Sequence, residues 1–132
     1  MTQTTITYNE THSTKHSKLI KKIKENLTPD LLKPEYVSLN KTNPTYGHCY
    51  TACEALYHLL GGEQSGLDIY RARDAEGVVH WWLKDGVELL DPTKDQYISA
   101  GKRPPYANGQ RGGFLTKSPS KRAGLLIQRV LT

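Results

Sequence analysis

The chain has 132 residues, of which 36% are apolar and 23% are charged. This length suits one domain, spanning residues 1–132, with a modest core. No apolar run approaches the roughly 20 residues that a transmembrane helix needs. The first 18 residues lack the apolar centre of a signal peptide. We therefore expect a cytoplasmic protein with no membrane partner.

The net charge of +5 is unevenly distributed along the chain. No Asp or Glu follows Asp95, and residues 101–132 form a basic C-terminal segment. Its basic residues are Lys102, Arg103, Arg111, Lys117, Lys121, Arg122 and Arg129. Such a segment indicates an acidic protein partner, a nucleotide or other phosphate-bearing ligand, or nucleic acid. The alternative is a solvated basic surface.

The N-terminal third of the chain begins without apolar periodicity. We expect residues 1–13 to form a mobile arm. Apolar residues at helical spacing then predict a first helix over residues 17–27. Thr28-Pro29 ends this helix. Residues 34–45 are predicted to be irregular, with Tyr36, Val37 and Leu39 as apolar anchors.

The clearest helix is predicted over residues 46–60, and Gly61 follows it as a stop signal. Strands are predicted over residues 67–73, 78–83 and 87–90, with a turn at 74–77. Residues 104–113 are predicted to be a loop. Ser118 resembles an N-cap before a last helix that buries Leu125, Leu126 and Val130. The pattern predicts an α+β fold, with the N-terminal and central helices packed on a small antiparallel sheet and a helix at the C-terminus.

The segment from His80 to Thr93 reads as a hairpin, because Asp85-Gly86 is a strong two-residue turn signal. With these two residues at the tip, His80 lies directly opposite Asp91. Opposite residues of an antiparallel pair share a face, with Cβ atoms about 4.5–5.5 Å apart. The sequence therefore predicts a carboxylate beside an imidazole, although a one-residue slip would separate them. A structural ion pair is the alternative reading.

Cys49 lies near the predicted start of the central helix, where the positive dipole end favours a thiolate. Cys53, one turn later, is expected in the core. Their spacing is poor for a disulfide, so both are expected to be reduced. A Cys-x-x-x-Cys spacing without a second ligand pair is a weak zinc signal, and no metal or cofactor is expected.

Three segments together resemble the transglutaminase-like superfamily of the papain-like group. They are Gly47-His48-Cys49-Tyr50-Thr51-Ala52, His80-Trp81-Trp82 and Asp91-Pro92-Thr93. The resemblance covers residues 43–97 and implies a papain-like core. It also implies a cysteine hydrolase or acyltransferase, in which Cys49 attacks an amide or peptide carbonyl. His80 would then transfer the proton, and Asp91 would orient the imidazole.

Further residues are candidates for oxyanion or substrate contacts. Asn43 precedes the cysteine by six residues, as the oxyanion glutamine does in papain-like proteases, but it could instead cap the loop before the helix. Of the two tryptophans, one is expected in the core and the other near the cleft, where Trp82 shares the face of His80. Gln96 could line the same cleft. Arg111 and Arg122 could bind an acidic group, and Arg111 begins a glycine-rich segment that could form a flap.

Three functions remain possible at this point. The first is cysteine-dependent acyl chemistry (hydrolysis, deamidation or acyl transfer) on a protein or peptide substrate. The second is a non-catalytic binding protein that holds nucleic acid, a nucleotide or an acidic protein through the basic segment. The third is an inactive family member that acts as an inhibitor or adaptor, against which the complete set of Cys49, His80 and Asp91 argues.

Overall fold

The computed structural model describes residues 15–132, and the arm expected at residues 1–13 lies outside them. Within these residues the fold is α+β, with five α-helices and one antiparallel sheet of four strands. The helices are α1 (Ser17–Glu25), α2 (Val37–Asn40), α3 (Cys49–Leu59), α4 (Asp95–Ile98) and α5 (Lys121–Leu131). The strands are β1 (Asp68–Arg73), β2 (Val79–Asp85), β3 (Glu88–Leu90) and β4 (Gln110–Arg111), in the order β3-β2-β1-β4. None of the helices in residues 15–132 is long and apolar enough to cross a membrane.

Helices α1, α3 and α5 pack together on one face of the sheet. Ile23, Leu56 and Leu126 of these helices are each 0% exposed and meet Leu83 of β2. Because apolar residues recur on one side of each helix, the three helices and the sheet share a single apolar layer. This layer confirms the predicted helices in their type and approximate position.

The opposite face of the sheet carries a smaller apolar cluster around Trp82, with Ala72, Leu89 and Tyr106. Tyr106 belongs to the loop that the sequence predicts at residues 104–113. This loop also contains the short strand β4, which pairs with β1 and was not predicted. Two residues are too few for an alternating pattern, so the sequence carries no signal for this strand.

The predicted register of the β2–β3 hairpin is wrong by two residues. The structure pairs Asp85 with Glu88 and Leu83 with Leu90, so the turn consists of Gly86 and Val87. Gly86 adopts φ 62°, and type II′ turns place glycine at this first central position. A shift of two residues leaves each side chain on its predicted face, because alternate residues of a strand share a face. His80 and Asp91 therefore remain on the same face.

Three local predictions are wrong for identifiable reasons. Leu39 is 56% exposed rather than an anchor. The buried residue of that turn is Asn40, whose amide donates to the carbonyls of Pro44 and Tyr46. Leu125 is 39% exposed, on the solvent side of α5. The N-cap of α5 is Ser120 rather than Ser118, because its hydroxyl accepts from the Ala123 N–H at 3.3 Å.

Candidate active site

Cys49 is the first residue of α3, as the sequence predicts, although the helix begins three residues later than expected. The cause is Gly47, which adopts φ 83° and cannot continue a helix. A side chain at this position would also meet the Cβ of Tyr36 at 2.8 Å. The Cys49 Sγ lies 3.5 Å from the carbonyl oxygen of Val79. The helix start thus lies beside the first residue of β2, immediately before His80.

His80 and Asp91 form a fully buried pair. The His80 Nε2 lies 2.6 Å from the Asp91 Oδ2, and both side chains are 0% exposed. The remaining ring nitrogen, Nδ1, is buried and has no hydrogen-bond partner within residues 15–132. It is therefore the nitrogen available to the thiol of Cys49. The arrangement matches the predicted contact between imidazole and carboxylate.

Two further donors fix the Asp91 carboxylate. The Tyr106 hydroxyl donates to Oδ2 at 2.7 Å, and the Thr93 backbone N–H donates to Oδ1 at 3.1 Å. Pro92 lies between the aspartate and this N–H, which closes a tight turn at the end of β3. A buried carboxylate needs such partners, because an unpaired buried charge is strongly destabilising. Asp91 is consequently held in one orientation toward His80.

Charge and burial act in opposite directions on this pair. Burial lowers the pKa of His80, but the charge and hydrogen bond of Asp91, together with the neighbouring Cys49 sulfur, outweigh it and raise that pKa to about 10. Burial likewise raises the pKa of Asp91, but the His80 charge and the hydrogen bonds to the carboxylate lower it below its usual value. At neutral pH the pair is therefore an imidazolium beside a carboxylate.

Aromatic side chains enclose the imidazole. Trp82 stacks on His80 with ring centroids 5.8 Å apart, and the Tyr97 ring meets His80 edge-on at 4.9 Å. The Tyr97 hydroxyl donates to Asp74 at 2.8 Å, which anchors this ring. Trp82 is 1% exposed and lines neither cavity described below, so its position does not support the predicted contact with substrate. Trp81, on the other face of β2, lines the cavity that contains Cys49.

Two cavities meet at this site. The larger, of about 930 Å³, is lined by Cys49, Trp81 and residues of α5. The smaller, of about 720 Å³, lies toward Tyr97 and the turn after β1. Tyr46 and Gln96 line both cavities. A substrate could therefore extend to either side of these two residues, close to the thiol.

Gln96 and Asn43 are in contact with each other. The Asn43 Nδ2 donates to the backbone carbonyl of Gln96 at 2.7 Å. The side-chain oxygens of both residues are buried and accept no hydrogen bond from the part of the chain that the structure describes. Gln96 is only 6% exposed and lines both cavities, whereas Asn43 lines the smaller one. Gln96 is thus the better placed of the two amides to contact a reacting carbonyl.

The two arginine candidates have different positions. Arg122, in the first turn of α5, lines the larger cavity. Arg111, in β4, lines neither cavity, and its Nη2 is ion-paired with Asp68 at 2.8 Å. The prediction that Arg111 binds substrate is therefore not supported by its position. The segment after it is held in place, since Phe114 packs edge-on against Tyr50 with centroids 5.4 Å apart.

The two cysteines differ sharply in environment. Both are free, as predicted. Cys53 is 0% exposed, and burial raises its pKa well above the usual value. Cys49 is 8% exposed and lines the larger cavity. In the part of the chain that the structure describes, no three His, Cys, Asp or Glu side chains are grouped as metal ligands.

Two residues that support the site were not found by sequence reasoning. Tyr106 binds Asp91 from a loop, where no periodic pattern marks a buried residue. Glu54, in α3, is 0% exposed and accepts hydrogen bonds from the Ser120 N–H at 2.8 Å and from the Ser120 hydroxyl at 2.7 Å. Glu54 lies outside the apolar stripe of α3, so the periodicity of the helix gives no signal for this contact.

Comparison with protein-family models, with curated proteins and with solved structures found no match to the chain. The interpretation of the site therefore depends on its own geometry and chemistry.

Proposed function

We propose that the protein performs cysteine-dependent acyl chemistry on an amide or peptide bond, with a papain-like, transglutaminase-like arrangement of Cys49, His80 and Asp91. The observation that carries the proposal is the buried contact of 2.6 Å between His80 and Asp91 behind a cysteine at the start of a helix. A plain structural ion pair would not require a thiol beside the free ring nitrogen or a cavity in front of it.

The reaction begins when the Cys49 sulfur, whose thiol proton is already held by the imidazolium of His80, attacks the carbonyl carbon. The carbonyl oxygen becomes an oxyanion, for which the Gln96 amide and the Cys49 backbone N–H are the candidate donors. His80 then donates its proton to the leaving nitrogen, and the carbon–nitrogen bond breaks. A thioester on Cys49 remains, and Asp91 stabilises the imidazolium form of His80 throughout.

The second half of the reaction releases the acyl group. Water or an amine attacks the thioester carbonyl while its proton moves to His80. The carbon–sulfur bond then breaks, the acyl group leaves on the new oxygen or nitrogen, and the Cys49 sulfur is restored beside the protonated His80. Water would give hydrolysis or deamidation, and an amine would give acyl transfer. A binding protein based on the basic segment has less support, because Lys102, Arg111 and Arg129 are each ion-paired with an acid of the fold.

Alkylation by iodoacetamide tests the nucleophile, with peptide mass spectrometry at pH values from 5 to 9. We expect Cys49 to react rapidly near pH 6 and the buried Cys53 to stay unmodified. His80→Ala should reduce the rate at Cys49 to that of an ordinary thiol, whose pKa is about 8.5. Equal rates in wild type and His80→Ala would contradict the proposal.

Acylation by p-nitrophenyl acetate tests the covalent step. We expect an acetyl group on Cys49 that is detectable by intact mass and is then lost to water or to an added amine. Cys49→Ala should abolish the adduct, while Cys53→Ala should retain it. An adduct on lysines alone would contradict acyl chemistry at this site.

A further inference from the structure

The larger cavity carries positive charge that has no role in the proposed reaction. Its basic side chains come from three separate parts of the chain: Lys33, Arg73, Lys121 and Arg122. All four are exposed at its rim. Asp30 is the one acidic residue among the lining residues, and the Arg129 guanidinium binds its carboxylate at 2.5 Å. The cavity beside Cys49 therefore presents an excess of positive charge.

The smaller cavity has no such excess. Its charged lining residues are two acids and two bases: Asp74, Glu76, Lys102 and Arg103. Glu76 and Lys102 form an ion pair at 2.7 Å. The charge asymmetry thus distinguishes the two sides of the site.

The positive end of the larger cavity is rigidly held. Glu54 fixes Ser120, and Ser120 caps α5, so that Lys121 and Arg122 occupy the first helical turn. No acidic residue lies in this turn, and the helix dipole adds positive potential there. Within residues 15–132, the ionic groups of Lys33, Lys121 and Arg122 form no salt bridge. These charges are consequently available to a ligand.

Apolar groups lie beside the basic ones. Leu115 is 91% exposed, and its backbone N–H donates to the Tyr50 hydroxyl at 2.8 Å, which holds it at the cavity. Leu125 is 39% exposed on the same wall. A phosphate backbone gains little from exposed leucines, whereas a peptide can offer them an apolar side chain.

We propose that the larger cavity binds an acidic peptide segment of the substrate, with carboxylate side chains at Lys33, Lys121 and Arg122 and an apolar side chain at Leu115. This inference rests on the proposed function, since it places the acidic segment beside the amide that Cys49 attacks. Charge complementarity of this kind raises association rates and determines the orientation of the bound chain.

A pair of reactive peptides tests the inference. N-iodoacetyl-Gly-Glu-Glu and N-iodoacetyl-Gly-Gln-Gln have the same shape and reactive group but differ in charge. We expect the acidic peptide to alkylate Cys49 roughly tenfold faster at low salt, with a ratio that falls as salt screens the attraction. The double variant Lys121→Glu/Arg122→Glu should bring the ratio to about one or below. Acids suit the first turn of a helix, so this variant should fold.

The control is Lys18→Glu/Lys21→Glu on α1, which changes the net charge equally at exposed positions outside both cavities. It should retain the preference for the acidic peptide. A wild-type ratio near one, or an equal loss in the control, would overturn the inference while leaving Cys49 reactive and the proposed function intact.

A binding experiment with a variant that lacks the Cys49 thiol tests the peptide-binding site separately from the proposed acyl chemistry. Fluorescence anisotropy of a fluorescein-labelled Leu-Glu-Glu-Gly peptide with Cys49→Ala should give saturable binding that Lys121→Glu/Arg122→Glu removes. This result would support the binding site even if Cys49 proved unreactive. A single-stranded oligonucleotide that binds with higher affinity than the peptide would overturn the inference in favour of nucleic acid.

Discussion

The orientation of a single imidazole depends on residues that never contact a substrate. Asp91 accepts hydrogen bonds from His80, from Tyr106 and from the Thr93 N–H, so both carboxylate oxygens are occupied. Because Nε2 is bound to Asp91, Nδ1 is the ring nitrogen that can exchange a proton with Cys49. Tyr106 is thus a positioning residue that acts on His80 through Asp91.

Replacement of Tyr106 by Phe should destabilise the protein and weaken the site. The change removes a hydroxyl that donates to a buried carboxylate, and the loss of such a bond costs about 1–3 kcal/mol. The pKa of Asp91 should rise, because this hydrogen bond helps to lower it. Urea denaturation measures the stability, and the pH profile of Cys49 alkylation measures the effect on the site.

Tyr70→Phe is the matched control for this variant. Tyr70 stacks on Trp82 with centroids 6.0 Å apart, on the same face of the sheet. Its hydroxyl makes no hydrogen bond within the part of the chain that the structure describes. If the two variants lost equal stability and left the alkylation profile unchanged, Tyr106 would have no positioning role.

At the scale of elements, α3 carries both the nucleophile and the anchor for α5. Cys49 begins the helix, and Glu54 binds Ser120 in the interior. One helix therefore fixes the thiol and the basic turn of α5 relative to each other. This coupling explains why an acidic residue occupies a fully buried position.

Glu54→Ala should release the first turn of α5. The variant leaves the Ser120 N–H and hydroxyl without their acceptor, at about 1–3 kcal/mol for each buried unsatisfied group. We expect faster hydrogen exchange at Ala123 and Gly124 and a lower unfolding free energy. Glu54→Gln, which retains one carbonyl acceptor, should show a smaller effect. Exchange that is unchanged in both variants would show that α5 is held by its apolar face alone.

The sequence predicted elements with strong periodicity and missed those defined by few residues. Helices α1, α3 and α5 and strands β1, β2 and β3 follow from the spacing of their apolar residues. The strand β4 has two residues, and its pairing with β1 is determined by tertiary contacts. The hairpin register depends on which two residues form the turn. The sequence alone does not decide between Asp85-Gly86 and Gly86-Val87, because both pairs suit a two-residue turn.

The sequence predicts those parts of the candidate site that depend on residue spacing within one short segment. Cys49 at a helix start and His80 on one face with Asp91 follow from spacing within short segments. The contact between the cysteine and this pair is long-range, and it was inferred from the resemblance of the motifs alone. Tyr106 and Glu54 act through contacts between distant segments, which no local pattern encodes.

At the scale of the whole molecule, two buried histidines have opposite electrostatic environments. The His80 pKa is raised to about 10 by Asp91 against the effect of burial. His48, directly before Cys49, is 0% exposed, and neither ring nitrogen has a hydrogen-bond partner among the described residues. Burial lowers its pKa to about 4, with Asp30 opposing the shift. The unfolded reference for both is 6.5.

Stability should therefore be greatest near pH 6.5. Between 6.5 and 10 the folded state holds the His80 proton that the unfolded chain releases, so stability falls as the pH rises. Between 6.5 and 4 the unfolded chain binds a proton at His48 that the folded state excludes, so stability falls as the pH drops. A plot of the unfolding free energy against pH therefore has an acid limb below pH 6.5 and an alkaline limb above it. Each limb has a slope of at most about 1.4 kcal/mol per pH unit.

Urea denaturation between pH 4.5 and 7.5 measures both limbs, because this range ends about one pH unit below the pKa of about 8.5 of an ordinary thiol, such as that of Cys53 in the unfolded chain. His80→Gln should flatten the alkaline limb and His48→Leu the acid limb, because each variant removes the group whose proton uptake differs between the two states. His16→Asn, at an exposed histidine with φ 60°, should preserve both limbs. An acid limb that persists in His48→Leu would show that His48 does not cause it. Asp91 is not the cause either, because its stabilising contribution is lost only as the pH falls below 3.8 toward its lowered folded pKa.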